Sequence, residues 1–267
     1  TGSCHDDNLT GNAQNNIIRG RAGNDIISDG AGDDTIEGGS GNDILMVGSG
    51  ANSFDGGADI DTIDYSALAV TSISVTLNGA AASTVTVNGG TNDTISNVEN
   101  VTGSTGNDII TGDNGVNTLI GGLGDDVIRG GMAGDTLDGG GGTDELRFDD
   151  LTQSGVTLNL ATGTALYGHD GSTDVFSNFE IYAATQQADT VIGSANADTV
   201  SGLGGNDVFS ASAGGDTLDG GSGTDTMDYS TLGAANFIDV TLSGNSYAVV
   251  TVNGLDNDSI RNFEYII

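Results

Sequence analysis

Residues Gly38–Met46 read GGSGNDILM. Glycine fills the first, second and fourth places, aspartate the sixth and an apolar residue the eighth. Counted outward in nines, the same phase holds from residue 2 to residue 64: GSCHDDNLT, GNAQNNIIR, GRAGNDIIS, DGAGDDTIE, GGSGNDILM, VGSGANSFD and GGADIDTID. A second run covers 103–147 with GSTGNDIIT, GDNGVNTLI, GGLGDDVIR, GGMAGDTLD and GGGGTDELR. A third covers 184–228 with ATQQADTVI, GSANADTVS, GLGGNDVFS, ASAGGDTLD and GGSGTDTMD. The 17 units take up 153 of the 267 residues, and the phase never slips inside a run.

The eighth place is apolar in every unit, from Leu9 to Met227. The sixth is Asn16, Asn52 or Asn117 in three units. In the other fourteen it is aspartate: Asp7, Asp25, Asp34, Asp43, Asp61, Asp108, Asp126, Asp135, Asp144, Asp189, Asp198, Asp207, Asp216 and Asp225. One inward apolar residue per nine describes a short strand followed by a tight turn. The glycines allow positive φ in the turn and let successive turns lie close. A flexible Gly/Asp linker needs no apolar residue at one fixed place, so that reading fails. Long internal periodicity of this kind marks a solenoid.

At these residues the chain resembles the hemolysin-type calcium-binding proteins, the RTX repeat family. The resemblance implies an all-β fold, a parallel β-roll in which two nonapeptides make one 18-residue coil and calcium sits between stacked turns. It also implies the ligands. The lower turn gives carbonyls from its second and fourth places and its aspartate; the upper turn gives carbonyls from its first and third places and its own aspartate. Carried onto this sequence, one site takes Gly39, Gly41 and Asp43 with Gly56, Ala58 and Asp61. A second takes Gly122, Gly124 and Asp126 with Gly139, Gly141 and Asp144. A third takes Leu203, Gly205 and Asp207 with Gly220, Ser222 and Asp225. Six oxygens suit Ca²⁺.

Steps of 18 sort the sixth places into columns. Asp7, Asp25, Asp43 and Asp61 form a fully acidic column; Asn16, Asp34 and Asn52 form a weaker one opposite. Asp108, Asp126 and Asp144 face Asn117 and Asp135; Asp189, Asp207 and Asp225 face Asp198 and Asp216. Fuller occupancy is expected in the first column of the first two runs. Counting stacked pairs gives roughly 11 ions for the chain.

Composition agrees with a hard-cation protein. The formal charge is −33, from 38 acids and five basic residues, all arginine. Of the acids 33 are aspartate, a poor helix former and a good turn and cation ligand. Such like charge opposes compaction unless cations neutralise it. Five arginines make no basic stripe, so nucleic acid is not an expected partner. No 18-residue apolar run is present, so no transmembrane helix is expected. The single Cys4 allows no internal disulfide.

Each run ends alike, in DTIDYSAL (61–68), DELRFDDL (144–151) or DTMDYSTL (225–232). A strand-rich insert follows, which closes on DTISNVEN (93–100), DVFSNFEI (174–181) or DSIRNFEY (258–265). Three modules of about 82 residues are therefore expected: 1–102, 103–183 and 184–267, with inserts at 65–102, 148–183 and 229–267. Within them SISVTL pairs with STVTV, GVTLNL with GTALYG, and FIDVTL with YAVVTVNG, by period-two alternation. Most aromatics, Phe237 among them, gather in the inserts, where core filling is their expected role.

No catalytic set emerges. The two histidines, His5 and His169, have no partners at zinc spacing, and the chain has neither GxSxG nor, lacking lysine, a P-loop. The chain is expected not to be an enzyme. The family resemblance implies type I secretion and folding in external calcium, so an extracellular or cell-surface structural protein is expected: a surface layer, filament or adhesin stalk. The alternative is the calcium-folding accessory region of a secreted protease, lipase or alginate epimerase. The termini echo the internal seam NVENVTGS (97–104): TGS opens the chain and NFEYII closes it. The expectation is a chain bounded by a module border, continued either covalently or by another copy docked head to tail.

Overall fold

A computed structural model describes residues 1–68, 72–88, 90–230, 238–252 and 256–267. Phe237, and parts of the FIDVTL and YAVVTVNG strands, lie outside the described residues. Regular structure among the described residues is all β. The chain divides into two compact units, Thr1–Asp144 and Glu145–Ile267, and each is described by itself.

In the first unit, one sheet runs in the spatial order Asn8–Thr10, Ile26–Ser28, Ile44–Met46, Thr62–Asp64, Asn100–Thr102, Thr118–Leu123 and Thr136–Gly141. Its strands are parallel, and each eighth-place residue pairs with the next in the stack: Leu9 with Ile27, Ile27 with Leu45, Leu45 with Ile63. The opposite sheet stacks Ile17–Ala22, Thr35–Ser40 and Ser53–Ala58 in the same way, pairing Ile18 with Ile36 and Ile36 with Phe54. Successive units thus alternate between two sheets, which is the parallel β-roll. Between them lie Ile27, Ile36, Leu45, Phe54 and Ile63, all 1% exposed or less. Burying each contributes about 1.5–3 kcal/mol.

The insert enters the roll as an antiparallel detour. Ile73–Thr76, Ser83–Val87 and Asp93–Ser96 form a three-stranded meander. Its outer strands pair parallel with the roll, Ile95 on Phe54 and Val75 on Ile110. A period of two in sequence therefore becomes a patch of antiparallel ladder inside a parallel sheet.

The second unit repeats the plan. Val156–Asn159 and Thr164–Tyr167 are antiparallel, as are Ile238–Asp239 and Ala248–Val252. Val191, Phe209 and Met227 stack in one sheet; Tyr182, Val200, Leu218 and Ile260 stack in the other. The insert aromatics Tyr65, Phe148, Tyr167, Phe176, Phe179, Tyr182, Tyr229 and Phe263 are buried, whereas Tyr247 and Tyr265 are exposed.

Candidate metal centre

The sixth-place residues form ladders. Each backbone N–H donates to the Oδ1 of the sixth-place residue one coil on. Asp7 binds Asp25 (2.8 Å), Asp25 binds Asp43 (2.7 Å) and Asp43 binds Asp61 (2.8 Å). Asp108 donates to Asp126 and Asp126 to Asp144; Asp189 donates to Asp207 and Asp207 to Asp225. The other columns behave alike: Asn16 to Asp34, Asp34 to Asn52, Asn117 to Asp135, Asp198 to Asp216. One oxygen of each carboxylate is thereby committed to the fold.

The second oxygen is treated in two ways, decided by the second place of the turn. Where that place has positive φ, as at Arg21, Gly30, Gly39, Gly57, Gly122, Leu203 and Gly221, the turn is open. There the Oδ2 of Asp25, Asp34, Asp43, Asp61, Asp126, Asp207 and Asp225 is buried with no hydrogen-bond partner. These residues are at most 2% exposed. Where the second place is Ser or Thr, the turn closes on itself. Ser3 N–H donates to Asp7, Ser104 N–H to Asp108, Thr185 N–H to Asp189 and Ser194 N–H to Asp198. Ser212 donates its hydroxyl to Asp216. Asn12 and Asp113 close the Asn16 and Asn117 turns through their own N–H groups. Each run opens with two closed turns, one at the base of each column.

Carbonyls converge on the free carboxylate oxygens. A Cβ built on Gly38 would collide with both Asp43 Oδ2 and the Gly56 carbonyl. One on Gly121 would meet Asp126 Oδ2 and the Gly139 carbonyl, and one on Gly202 would meet Asp207 Oδ2 and the Gly220 carbonyl. The second-place carbonyls of Gly39, Gly122 and Leu203 press upward on Gly57, Gly140 and Gly221, as do the fourth-place carbonyls of Gly124 and Gly205 on Gly142 and Gly223. The third-place carbonyls of Ala58 and Gly141 turn downward, accepting from Gly41 N–H (3.2 Å) and Gly124 N–H (2.9 Å). Ser222 donates its N–H to the Leu203 carbonyl (3.0 Å).

Burial raises the carboxyl pKa of five of these aspartates, Asp43, Asp61, Asp126, Asp207 and Asp225, opposed by the N–H bond each accepts. Asp61, Asp126 and Asp207 are pushed up to about 7. Asp43 and Asp225 are raised by the same cause. A buried charge with an unpaired oxygen is costly unless a cation meets it. Among the described residues no three His, Cys, Asp or Glu side chains converge, so carbonyls must complete any cation's shell. Carboxylate plus carbonyl oxygen, without nitrogen or sulfur, fits a hard cation of calcium type. A bound calcium would supply the positive charge these oxygens lack.

The RTX calcium-binding nonapeptide repeat (4 copies) matches at residues 2–28, 28–63, 87–128, 111–146, 181–209 and 192–227, together more than half the chain. The chain belongs to this RTX family. RTX repeats bind calcium, and the β-roll is the architecture found here. No curated protein matches the chain. Among solved structures it is similar to the extracellular lipase LipA from Serratia marcescens, at 19% identity and a TM-score of 0.28. That match covers 62% of this chain and 38% of the lipase.

Counting in nines missed several members of this RTX site. Asp29, at a first place where glycine is usual, is fully buried; its Oδ1 accepts Gly48 N–H at 2.6 Å, and burial pushes its carboxyl up to about 6. It adds a carboxylate beside Asp34 in the column where Asn52 lacks one. Asp93 and Asp258, from the inserts, take the next rung after Asn52 (2.8 Å) and Asp216 (3.2 Å). Tyr229 donates to the other oxygen of Asp258 at 3.0 Å, and the Tyr65 hydroxyl is buried near Asp93 without a hydrogen bond of its own. The signal was present, since NGGTNDTIS (88–96), HDGSTDVFS (169–177) and NGLDNDSIR (253–261) are nonapeptides out of phase with the runs before them.

Gly38→Ala tests the convergence directly. Gly38 does not have a positive φ, so the backbone accepts alanine. The methyl would collide with Asp43 Oδ2 and with the Gly56 carbonyl and push the two apart. Equilibrium dialysis is expected to count one calcium fewer per chain, with a higher calcium midpoint for folding. An unchanged count would refute the placement.

Proposed function

We propose that the chain is a secreted, calcium-dependent structural protein, with roughly 11 ions between its stacked turns. It folds on Ca²⁺ outside the cell and works in an array with other copies of itself, as part of a surface layer, filament or adhesin stalk. The observation that carries this reading is the ladder of buried aspartates with unpaired oxygens. Those groups recur coil after coil and serve the fold itself, rather than meeting in one reactive cleft. The three modules and their repeated inserts suit serial use along an array. RTX proteins are typically exported by type I secretion, which agrees with an extracellular place. Among the described residues no helix is long and apolar enough to cross a membrane. The reading assigns the chain no catalytic role and makes calcium, other copies and a cell surface its partners.

The test is electron microscopy with sedimentation velocity, in millimolar calcium and in EGTA. Calcium-dependent assembly is the expected result. Monodisperse monomers at every concentration would sink the array. A catalytic domain joined to this chain in the native protein would shift the reading to an accessory region of an enzyme.

A further inference from the structure

In the first and third runs the two columns end differently. In the second columns of these runs the last rungs are Asp93 and Asp258; Tyr229 donates to Asp258, and the Tyr65 hydroxyl is buried near Asp93. In the first columns Asp61 and Asp225 are fully buried, and their Oδ2 atoms have no partner. The phrases NVENVT (97–102) and NFEYII (262–267) lie over them. Val101 pairs with Ile63 and Ile266 with Met227, so each six-residue phrase stacks as a shortened nonapeptide on the roll.

The shortened turn reproduces the rung. Glu99 Oε2 accepts the Asp61 N–H at 2.9 Å, and Glu264 Oε2 accepts the Asp225 N–H at 2.7 Å. Asp61 does the same for Asp43 one coil below. With three residues missing from the turn, glutamate's extra methylene spans the gap. Asn97 and Asn262 replace the first-place glycine, with φ of 49° and 55°. Their side-chain amides donate to Asp55 and Asp219, each at 2.6 Å, which fixes the turn. A Cβ on Gly56 would collide with the Asn97 carbonyl and lie 2.6 Å from Asp61 Oδ2. A Cβ on Gly220 would likewise meet the Asn262 carbonyl and lie 2.9 Å from Asp225 Oδ2. This is the convergence seen around Gly38, rebuilt from insert residues in each unit.

We propose that the first columns of the first and third runs each end in a further calcium site, formed by Asp61, Glu99 and the Asn97 carbonyl in one and by Asp225, Glu264 and the Asn262 carbonyl in the other. The proposal rests on the calcium reading of the columns and adds two ions to those between nonapeptides. The short turn offers fewer carbonyls, so water completes the shell and these sites fill after the interior ones.

The full chain carrying both Glu99→Gln and Glu264→Gln tests this. Glutamine keeps an oxygen for the Asp61 and Asp225 N–H groups and removes the charge. Equilibrium dialysis with ⁴⁵Ca²⁺ is expected to show two ions fewer per chain, with the far-ultraviolet circular dichroism in saturating calcium unchanged. An unchanged ion count would overturn the proposal. Should the glutamine pair fold poorly, Glu99→Asp with Glu264→Asp keeps the charge but shortens the reach. The same two ions should weaken, and wild-type binding in that pair would overturn the proposal equally. A wild-type chain that binds no calcium at all would overturn the calcium reading itself.

Discussion

In EGTA at neutral pH the chain is expected to lose its β-structure and expand. With calcium in about hundredfold excess over its Kd, each site contributes roughly 2.7 kcal/mol, so the roughly 11 proposed sites would together contribute on the order of 30 kcal/mol. That exceeds the 5–15 kcal/mol by which domains are usually stable. Removing the ions also leaves aspartates such as Asp43 and Asp61 within one hydrogen-bonded rung of each other, buried and uncompensated. The unfolded chain solvates every one of them. Circular dichroism and small-angle scattering during a calcium titration check this, with a cooperative gain of strand signal and loss of radius expected together. A full β spectrum in EGTA would refute it.

Acid should replace calcium in part. Burial raises the folded carboxyl pKa of Asp61, Asp93, Asp126 and Asp207 to about 7, and those of Asp29 and Asp216 to about 6. The unfolded value is about 3.9. An acid raised in the folded state binds more protons folded than unfolded, so its stabilising contribution is complete below pH about 4 and is lost as pH rises to about 7. In EGTA, lowering the pH from 8 to 5 is therefore expected to restore much of the β signal. With calcium present the sign reverses, because protons compete for the ligand oxygens and affinity falls over the same window. Paired pH titrations, with and without the ion, check both slopes. A metal-free chain that stays disordered throughout would contradict the burial described here.

Much of this was legible because the β-roll has one dominant constraint. An apolar residue every ninth place must face inward, so Leu45 and Phe54 announce the stack without any neighbour being known. The column arithmetic follows from the same count. Two features escaped it. Ser3, Ser104 and Ser194 read as departures from a glycine template, yet each supplies an N–H that only three dimensions show turning back on its own aspartate. The rungs at Asp93 and Asp258 were hidden by the hairpins before them, whose lengths break the count of nine. The tyrosines fill core as their composition suggests, but Tyr229 also delivers a hydroxyl to a buried carboxylate, a direction that sequence does not encode.

The closed turns give each run a polarity. Asp7, Asp108 and Asp189 satisfy their own outer oxygens without help, whereas Asp43, Asp126 and Asp207 cannot. The first coil of a run therefore satisfies its carboxylates without an ion, whereas the open turns around Asp43, Asp126 and Asp207 leave theirs to a cation. The need for cations in a run is thus uneven, lowest at its amino-terminal coil and greatest where the open turns stack.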